Sequence, residues 1–209
     1  MGRTRDGVLT LVSGSSRSGK TLWVRKQLRR PEHQRVLVWD RKGEYADAHY
    51  RSTRSLVELA AMLERTGRAP GRFCYVPATE LKRSFSLFCE MAWAWGRVKR
   101  CTVVAEELPE VVPPGKAPDW WGVLVHQGES QGIDTIAVTQ RPAETDKSSV
   151  SNAKVLHVAR MGRPDDRRYM AKELDCDVAE LEALGELDYY ELDRRTGARR
   201  RSRVRLPGK

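Results

Sequence analysis

The chain has 209 residues, 40% of them hydrophobic and 32% charged, with a formal net charge of +10. That length supports one α/β domain with a sizeable core and falls short of two. No apolar run reaches the length of a bilayer span, the start "MGRTRDG" carries no apolar h-region, and Asp6 breaks a myristoylation pattern, so neither a membrane segment nor an N-terminal leader or lipid is expected.

The apolar, β-rich run over 7–12 predicts a buried strand, and the pattern over 20–30 predicts a helix. Between them, "GSSRSGKT" matches G-x-x-x-x-G-K-[ST] through Gly14, Gly19, Lys20 and Thr21. The loop Gly14, Ser15, Ser16, Arg17, Ser18 and Gly19 must turn sharply and present backbone N–H groups. With the positive end of the helix dipole they make an anion site. Lys20 would reach the β- and γ-phosphates of a nucleotide, ATP or GTP, and the Thr21 hydroxyl would ligate Mg²⁺.

"RVLVWD" over 35–40 reads as a second strand, followed by a turn at Gly43. "STRSLVELAAMLERTG" predicts an amphipathic helix capped by Ser52 or Thr53 and stopped at Gly67. A short strand "GRFCYVP", a helix "TELKRSFSLFCEMAWAWG" and a strand "CTVVAEELPE" ending in acid come next. A Pro/Gly-rich loop then leads to a helix that Asp119 would cap, with Trp120 and Trp121 read as its packed start. "IDTIAVTQRP" and "KVLHVARM" are further strands, "RPDDRRYMAKELDCDVAELEAL" is one or two helices, and the end reads as a hairpin turned at Thr196–Gly197. Strands alternating with helices imply a parallel sheet covered on both faces.

Cys74, Cys89, Cys101 and Cys176 form no C-x-x-C pair and read as thiols in a reducing compartment. His33, His49, His126 and His157 are equally scattered, so no zinc site is expected. The charge, in contrast, is localised. Arg194, Arg195, Arg199, Arg200, Arg201, Arg203, Arg205 and Lys209 follow the last acid, Asp193, and supply +8 of the +10. Such a strip suggests a polyanion, nucleic acid above all.

Two further signals stand at strand ends. Glu106 and Glu107 follow an apolar run directly, and in parallel sheets the active site lies at the C-terminal ends of strands, beside the phosphate loop. Nucleotide hydrolysis needs an acid for the Mg²⁺ shell and a group that orients water, roles assigned here to Glu106 and Glu107 in that order. Gln140, ending the strand "TIAVT", can hydrogen-bond a γ-phosphate and report its presence.

Taken together, "GSSRSGKT", "RVLVWDRKGEY", "TVVAEE" and "IDTIAVTQRP" resemble the FtsK–HerA superfamily of DNA-pumping ATPases, and within it the genome-packaging ATPases of tectivirus-like, membrane-containing icosahedral viruses. The resemblance covers roughly residues 7–169. It implies a RecA-like domain over 1–193 with a basic hairpin strand over 194–209. It also implies ATP with Mg²⁺, a ring of copies, usually six, and movement of double-stranded DNA. The expected location is the host cytoplasm or the packaging vertex, with capsid-vertex or membrane proteins as further partners. Asp40 and Glu44 match the family's second-strand motif. Relatives often carry aspartate where this chain has Glu106, and an arginine in the turn that here reads "HQGESQG". Arg141, Arg160 and Arg163 are therefore the candidates for an arginine finger. Lys116, Arg199, Arg200, Arg201 and Arg203 are the candidates for DNA contact. A cellular HerA/FtsK-like DNA-processing ATPase, a filamentous-phage assembly ATPase and a nucleotide kinase are the rival enzyme readings. A nucleic-acid-binding protein with a vestigial site is the non-enzyme rival.

Overall fold

Each apolar run read as a strand becomes a strand of one sheet in the computed structural model, which describes residues 6–206. Gly2 of the N-terminal pattern and Lys209 of the basic strip lie outside the described residues. The strands are β1 (Leu9–Ser13), β2 (Arg35–Trp39), β3 (Arg51–Thr53), β4 (Gly71–Tyr75), β5 (Cys101–Ala105), β6 (Ile133–Thr139), β7 (Val155–Ala159), β8 (Asp188–Asp193) and β9 (Ala198–Arg203). Their spatial order is β3-β4-β2-β5-β6-β1-β7-β8-β9. Every pair from β3 through β7 is parallel, and β8 and β9 add an antiparallel hairpin at the far edge.

The helices are α1 (Lys20–Leu28), α2 (Leu56–Thr66), α3 (Leu81–Val98), α4 (Asp119–Gln127), α5 (Lys147–Ser151), α6 (Pro164–Leu174) and α7 (Val178–Glu182). Strand alternation sends successive side chains to opposite faces. Leu11, Leu37, Val103 and Ala137 join one core with Leu59 of α2, Phe85 and Phe88 of α3, Trp121 of α4 and Met170 of α6. Val12, Val36, Val38, Val104 and Val138 join the other with Trp23, Val24 and Leu28 of α1. Because both faces are covered, β1, β2, β5 and β6 are buried along their whole length. The edge strand β9 is exposed throughout.

Two expected helix caps are replaced. Residues 51–53 are drawn into the parallel edge strand β3 against β4, so Ser52 and Thr53 are strand residues. The cap of α2 is Ser55, whose hydroxyl accepts from Glu58 N at 3.2 Å, and Gly67 ends the helix at φ +51°. Asp119 lies inside the first turn of α4, after Pro118, and caps no amide with its side chain. Its contribution is charge beside the positive helix end. Trp121 is buried, its indole N–H facing Asp146 Oδ2 at 3.3 Å and Ser149 Oγ at 3.0 Å, while Trp120 packs half-buried against the same core.

The segment after β1 leaves toward the α1 face, whereas the helices that follow β5 and β6 lie on the other face. The C-terminal ends of β1, β5 and β6 therefore border a crevice, the usual location of a ligand in an open α/β sheet.

Candidate nucleotide-binding site

The loop between β1 and α1 is closely built. Gly14 has φ +152°, and a Cβ there would stand 2.6 Å from Ser18 Oγ and 2.9 Å from Ala159 Cβ. No larger residue fits without shifting the loop or β7. Ser15 N donates to Arg160 O at 2.9 Å, and Ser15 Oγ accepts from Gly162 N at 2.8 Å, so β7 and its following turn hold the loop from one side. Arg17 adopts φ +61° and Gly19 φ +92°. Gly19 precedes α1 without a side-chain cap, which leaves first-turn amides for an anion. Ser16 and Arg17 are exposed, and Ser18 Oγ is buried with no partner among the described residues.

Lys20 lies over the loop and donates to Gly14 O and Ser15 O, both at 2.8 Å. Burial lowers its pKa, and the nearby Glu106 and Glu107 oppose that shift. The Thr21 hydroxyl donates to Glu44 Oε2 at 2.7 Å. Lys20, Thr21, Glu106, Glu107 and Gln140 line one cavity of about 510 Å³, together with Ser16, Arg17 and Gly19 of the loop. Positions singled out from separate parts of the sequence thus meet in space around the phosphate loop.

The two glutamates differ. Glu106 is buried, and Tyr45 Oη donates to its Oε1 at 2.8 Å. Burial raises its pKa to about 7, against the Tyr45 hydrogen bond, which lowers it. Glu107 sits in the left-handed region at φ +54°, which turns its side chain away from the strand direction. Its Oε1 accepts from Gln140 Nε2 at 2.6 Å and from the Lys42 ammonium. The expected sensor residue is therefore wired directly to the expected water-orienting acid.

Asp40 and Glu44 acquire distinct positions. Asp40 accepts from Glu44 N at 2.9 Å and from Tyr45 N at 2.7 Å, so it folds the turn after β2. That turn delivers Glu44 to Thr21, Lys42 to Glu107 and Tyr45 to Glu106. The motif D-x-K-G-E-Y carried this signal, but the partners of Lys42 and Tyr45 follow β5, far along the chain, and spacing alone did not name them. Thr21, Glu44 and Glu106, all lining the cavity, offer oxygen donors, the ligand type that suits Mg²⁺. No group of three or more acids, histidines or cysteines that could hold a metal occurs among the described residues, so phosphate oxygens would complete such a shell.

The arginine candidates separate. Arg141 is bound to buried Asp166 Oδ2 at 3.0 Å and also pairs with Glu144. Arg160 and Arg163 are exposed beyond β7, with no side-chain partner among the described residues. The basic strip is less free than its sequence implies. Arg199 pairs with Glu180 at 3.3 Å, Arg201 with Asp188 at 3.1 Å and Arg203 with Asp188 at 3.6 Å, while Arg200 pairs with Glu191. Arg194 and Arg195 pair with Glu173 and Asp193. All these pairs are at least partly open to solvent, where such bridges stabilise little. Lys116 is exposed on the loop before α4, outside the cavity.

No family model matches the sequence. The chain is 29% identical over 184 residues to protein P9 of Pseudoalteromonas phage PM2, covering 87% of this chain and 81% of that protein. Its fold is similar to that of the genome-packaging NTPase B204 from Sulfolobus turreted icosahedral virus 2, solved with AMPPCP. The TM-score is 0.79 at 11% identity, over 96% of this chain and 98% of that one. The bacterial conjugative coupling protein TrwB is also similar, with a TM-score of 0.64 at 10% identity, over 98% of this chain and 86% of that one. The resemblance carried by the sequence motifs is thus matched by the fold, a RecA-like P-loop NTPase architecture with a mostly parallel sheet.

Proposed function

We propose that this chain hydrolyses ATP to move double-stranded DNA, packaging a viral genome into a preformed capsid. The observation that carries the reading is the convergence of the phosphate loop, Glu106, Glu107 and Gln140 on one cavity. The 29% identity to a phage protein and the fold shared with a packaging NTPase support the viral role.

In this reading the loop amides and Lys20 hold the triphosphate, and Lys20 exchanges the carbonyls of Gly14 and Ser15 for phosphate oxygens. Thr21 and Glu106, with Glu44, would hold Mg²⁺, which neutralises charge on the β- and γ-phosphates when bound. Glu107 orients the attacking water and accepts its proton. Gln140 bridges Glu107 and the γ-phosphate, so loss of the phosphate changes the partner of Glu107 at the end of β5. Copies assemble as a ring, taken as hexameric, in which Arg160 or Arg163 reaches the neighbour's nucleotide. Arg141 is the weaker candidate because Asp166 already holds it. The exposed arginines of β9 and Lys116 grip DNA phosphates without reading sequence, as a motor for any genome requires. Work would take place in the host cytoplasm and at the packaging vertex, where capsid or membrane proteins would dock.

The test is ATP hydrolysis by the purified protein with and without double-stranded DNA, beside Lys20→Ala and Glu107→Gln. DNA should accelerate turnover, and both variants should lose it. Turnover indifferent to DNA would sink the translocase reading and leave the kinase and vestigial-site readings to be tested first.

A further inference from the structure

A second cavity, of about 250 Å³, shares no lining residue with the nucleotide cavity. Its walls are Arg25 and Arg29 of α1, Arg72 of β4, and Asp47, His49 and Tyr50 of the segment between β2 and β3. Arg25 and Arg29 stand one turn apart and share a helix face. Arg72 lies two residues before Cys74, which packs in the α1-side core, so the strand sends both to that face. Three stretches of chain thus bring three guanidinium groups, an imidazole and a phenol around a single carboxylate.

Two of the guanidinium groups are fixed in place. Arg72 Nη2 donates to Leu28 O at 2.7 Å and to His33 O at 2.9 Å, and its Nη1 lies 3.5 Å from Tyr50 Oη. Arg25 pairs with Asp47 Oδ2 at 3.1 Å and donates to the Glu44 carbonyl. Its Nε is buried with no partner among the described residues. Backbone carbonyls orient these groups without cancelling their charge. Asp47 is already engaged, since its Oδ1 accepts from His49 N at 2.9 Å while Oδ2 meets Arg25. Arg29 and the His49 ring are exposed, with no partner among the described residues.

Helix C-termini favour cations in general. That accounts for neither Arg72, which comes from a strand, nor Tyr50, which comes from a loop. Like charges gathered this way repel, and one carboxylate offsets only part of the repulsion. An oxyanion supplies what is missing. Guanidinium forks match phosphate oxygens in pairs, and the Tyr50 hydroxyl keeps a proton to donate. We infer that Arg25, Arg29 and Arg72, with Tyr50, form a phosphate site separate from the nucleotide cavity. The chemistry recognised is a phosphate oxyanion, free or carried on a nucleic-acid backbone. None of these residues has a part in the proposed hydrolysis or in the DNA grip assigned to β9 and Lys116.

Calorimetric titration with inorganic phosphate tests the site in Lys20→Ala, where the phosphate loop has lost its lysine. Arg29→Glu and Arg30→Glu are then added separately. Both reverse the same charge at adjacent exposed positions, and only Arg29 lines the cavity. Phosphate should bind, Arg29→Glu should weaken it about tenfold, and Arg30→Glu should leave it unchanged. A short DNA duplex, titrated into the chain with Lys20 intact, separates the two sources. Weaker duplex binding and a shallower salt slope in Arg29→Glu alone would make the occupant a backbone phosphate. A duplex that responds alike to both changes, or does not bind, would leave free phosphate as the occupant. Equal effects of the two changes on inorganic phosphate, or no phosphate binding, would overturn the site, whatever becomes of the nucleotide reading.

Discussion

Gln140 at the end of β6 donates its side-chain amide to Glu107 Oε1, 2.6 Å away at the end of β5. The pair joins adjacent parallel strands at the mouth of the nucleotide cavity, and Lys42 grips the same oxygen from the turn after β2. Glu107 is thereby held by two donors on a left-handed backbone position.

If Gln140 couples Glu107 to the γ-phosphate, Gln140→Leu should lower kcat about ten- to a hundredfold while KM for ATP changes little. Steady-state kinetics on the folded variant checks this. Equal losses in kcat and in ATP affinity, measured by titration, would instead make Gln140 a binding residue.

Glu106 should make stability fall with pH. Its folded pKa of about 7 exceeds the ordinary carboxylate value, so the folded chain binds more protons than the unfolded one between about pH 4.5 and 7. The contribution is complete below the unfolded value and is lost as pH rises through about 7, an effect of up to about 3 kcal/mol. Glu106→Gln should abolish this slope in urea titrations. Tyr45→Phe removes the hydrogen bond that lowers the pKa, so it should extend the slope to higher pH.

His157 should give the opposite slope. It is fully buried between Trp23 and Tyr189, with ring centroids 4.3 Å from each. Neither ring nitrogen has a partner among the described residues. Burial first, and then the Lys20 and Arg200 charges, push its pKa down from 6.5 to about 3. The unfolded chain alone binds this proton between those two values, so stability is lost as pH falls below the upper one, by about 2 kcal/mol at about pH 5. In His157→Phe the difference between urea stabilities at about pH 7 and about pH 5 should shift by that amount. An unchanged difference would mean that the ring gains a partner in solution.

The arginine finger is testable by complementation. Arg160→Ala and Arg163→Ala should bind ATP normally, and the one that reaches a neighbour should lose hydrolysis. Mixing that variant with Lys20→Ala should restore part of the activity, since each supplies what the other lacks. Arg141→Ala should instead lower stability by about 1–3 kcal/mol, because it leaves buried Asp166 short of a partner. Activity that survives all three changes would place the finger elsewhere.

On the C-terminal hairpin, alanine at Arg199, Arg200, Arg201 and Arg203 should weaken DNA binding and flatten its salt dependence by roughly 0.9 for each phosphate no longer neutralised. The melting temperature should move little, because the ion pairs removed are at least partly exposed. An unchanged salt slope would show that these charges serve only their acidic partners.

What could be read along the chain was what short-range chemistry decides. A phosphate loop must turn on Gly14 and Gly19 and present amides at a helix start, and those demands fall within one short stretch from Gly14 to Thr21. Apolar runs bounded by turn residues announced β1, β2, β5, β6 and β7, because a strand covered on both faces has little room for polar side chains. Glu106, Glu107 and Gln140 stood out because parallel sheets collect their chemistry at strand ends. The short strand β3 was missed because its pairing energy comes from β4, beyond the whole of α2, and the cap of α2 moved to Ser55 as a result.

Tertiary structure alone decided the partners. Strand order set Gln140 against Glu107 and brought Lys42 and Tyr45 to the acidic pair, since β2, β5 and β6 are neighbours only in space. It placed Arg35 in the interior, where its guanidinium satisfies the carbonyls of Gly67 and Trp95 and lies 3.9 Å from the Trp95 ring. It turned an apparently free cationic strip into a hairpin edge matched by Glu173, Glu180, Asp188 and Glu191, and carried Leu206 back to the nucleotide cavity. Sequence settles which groups carry charge and which backbone turns are possible. The potential each group meets depends on neighbours that only the packed sheet brings within a few ångströms.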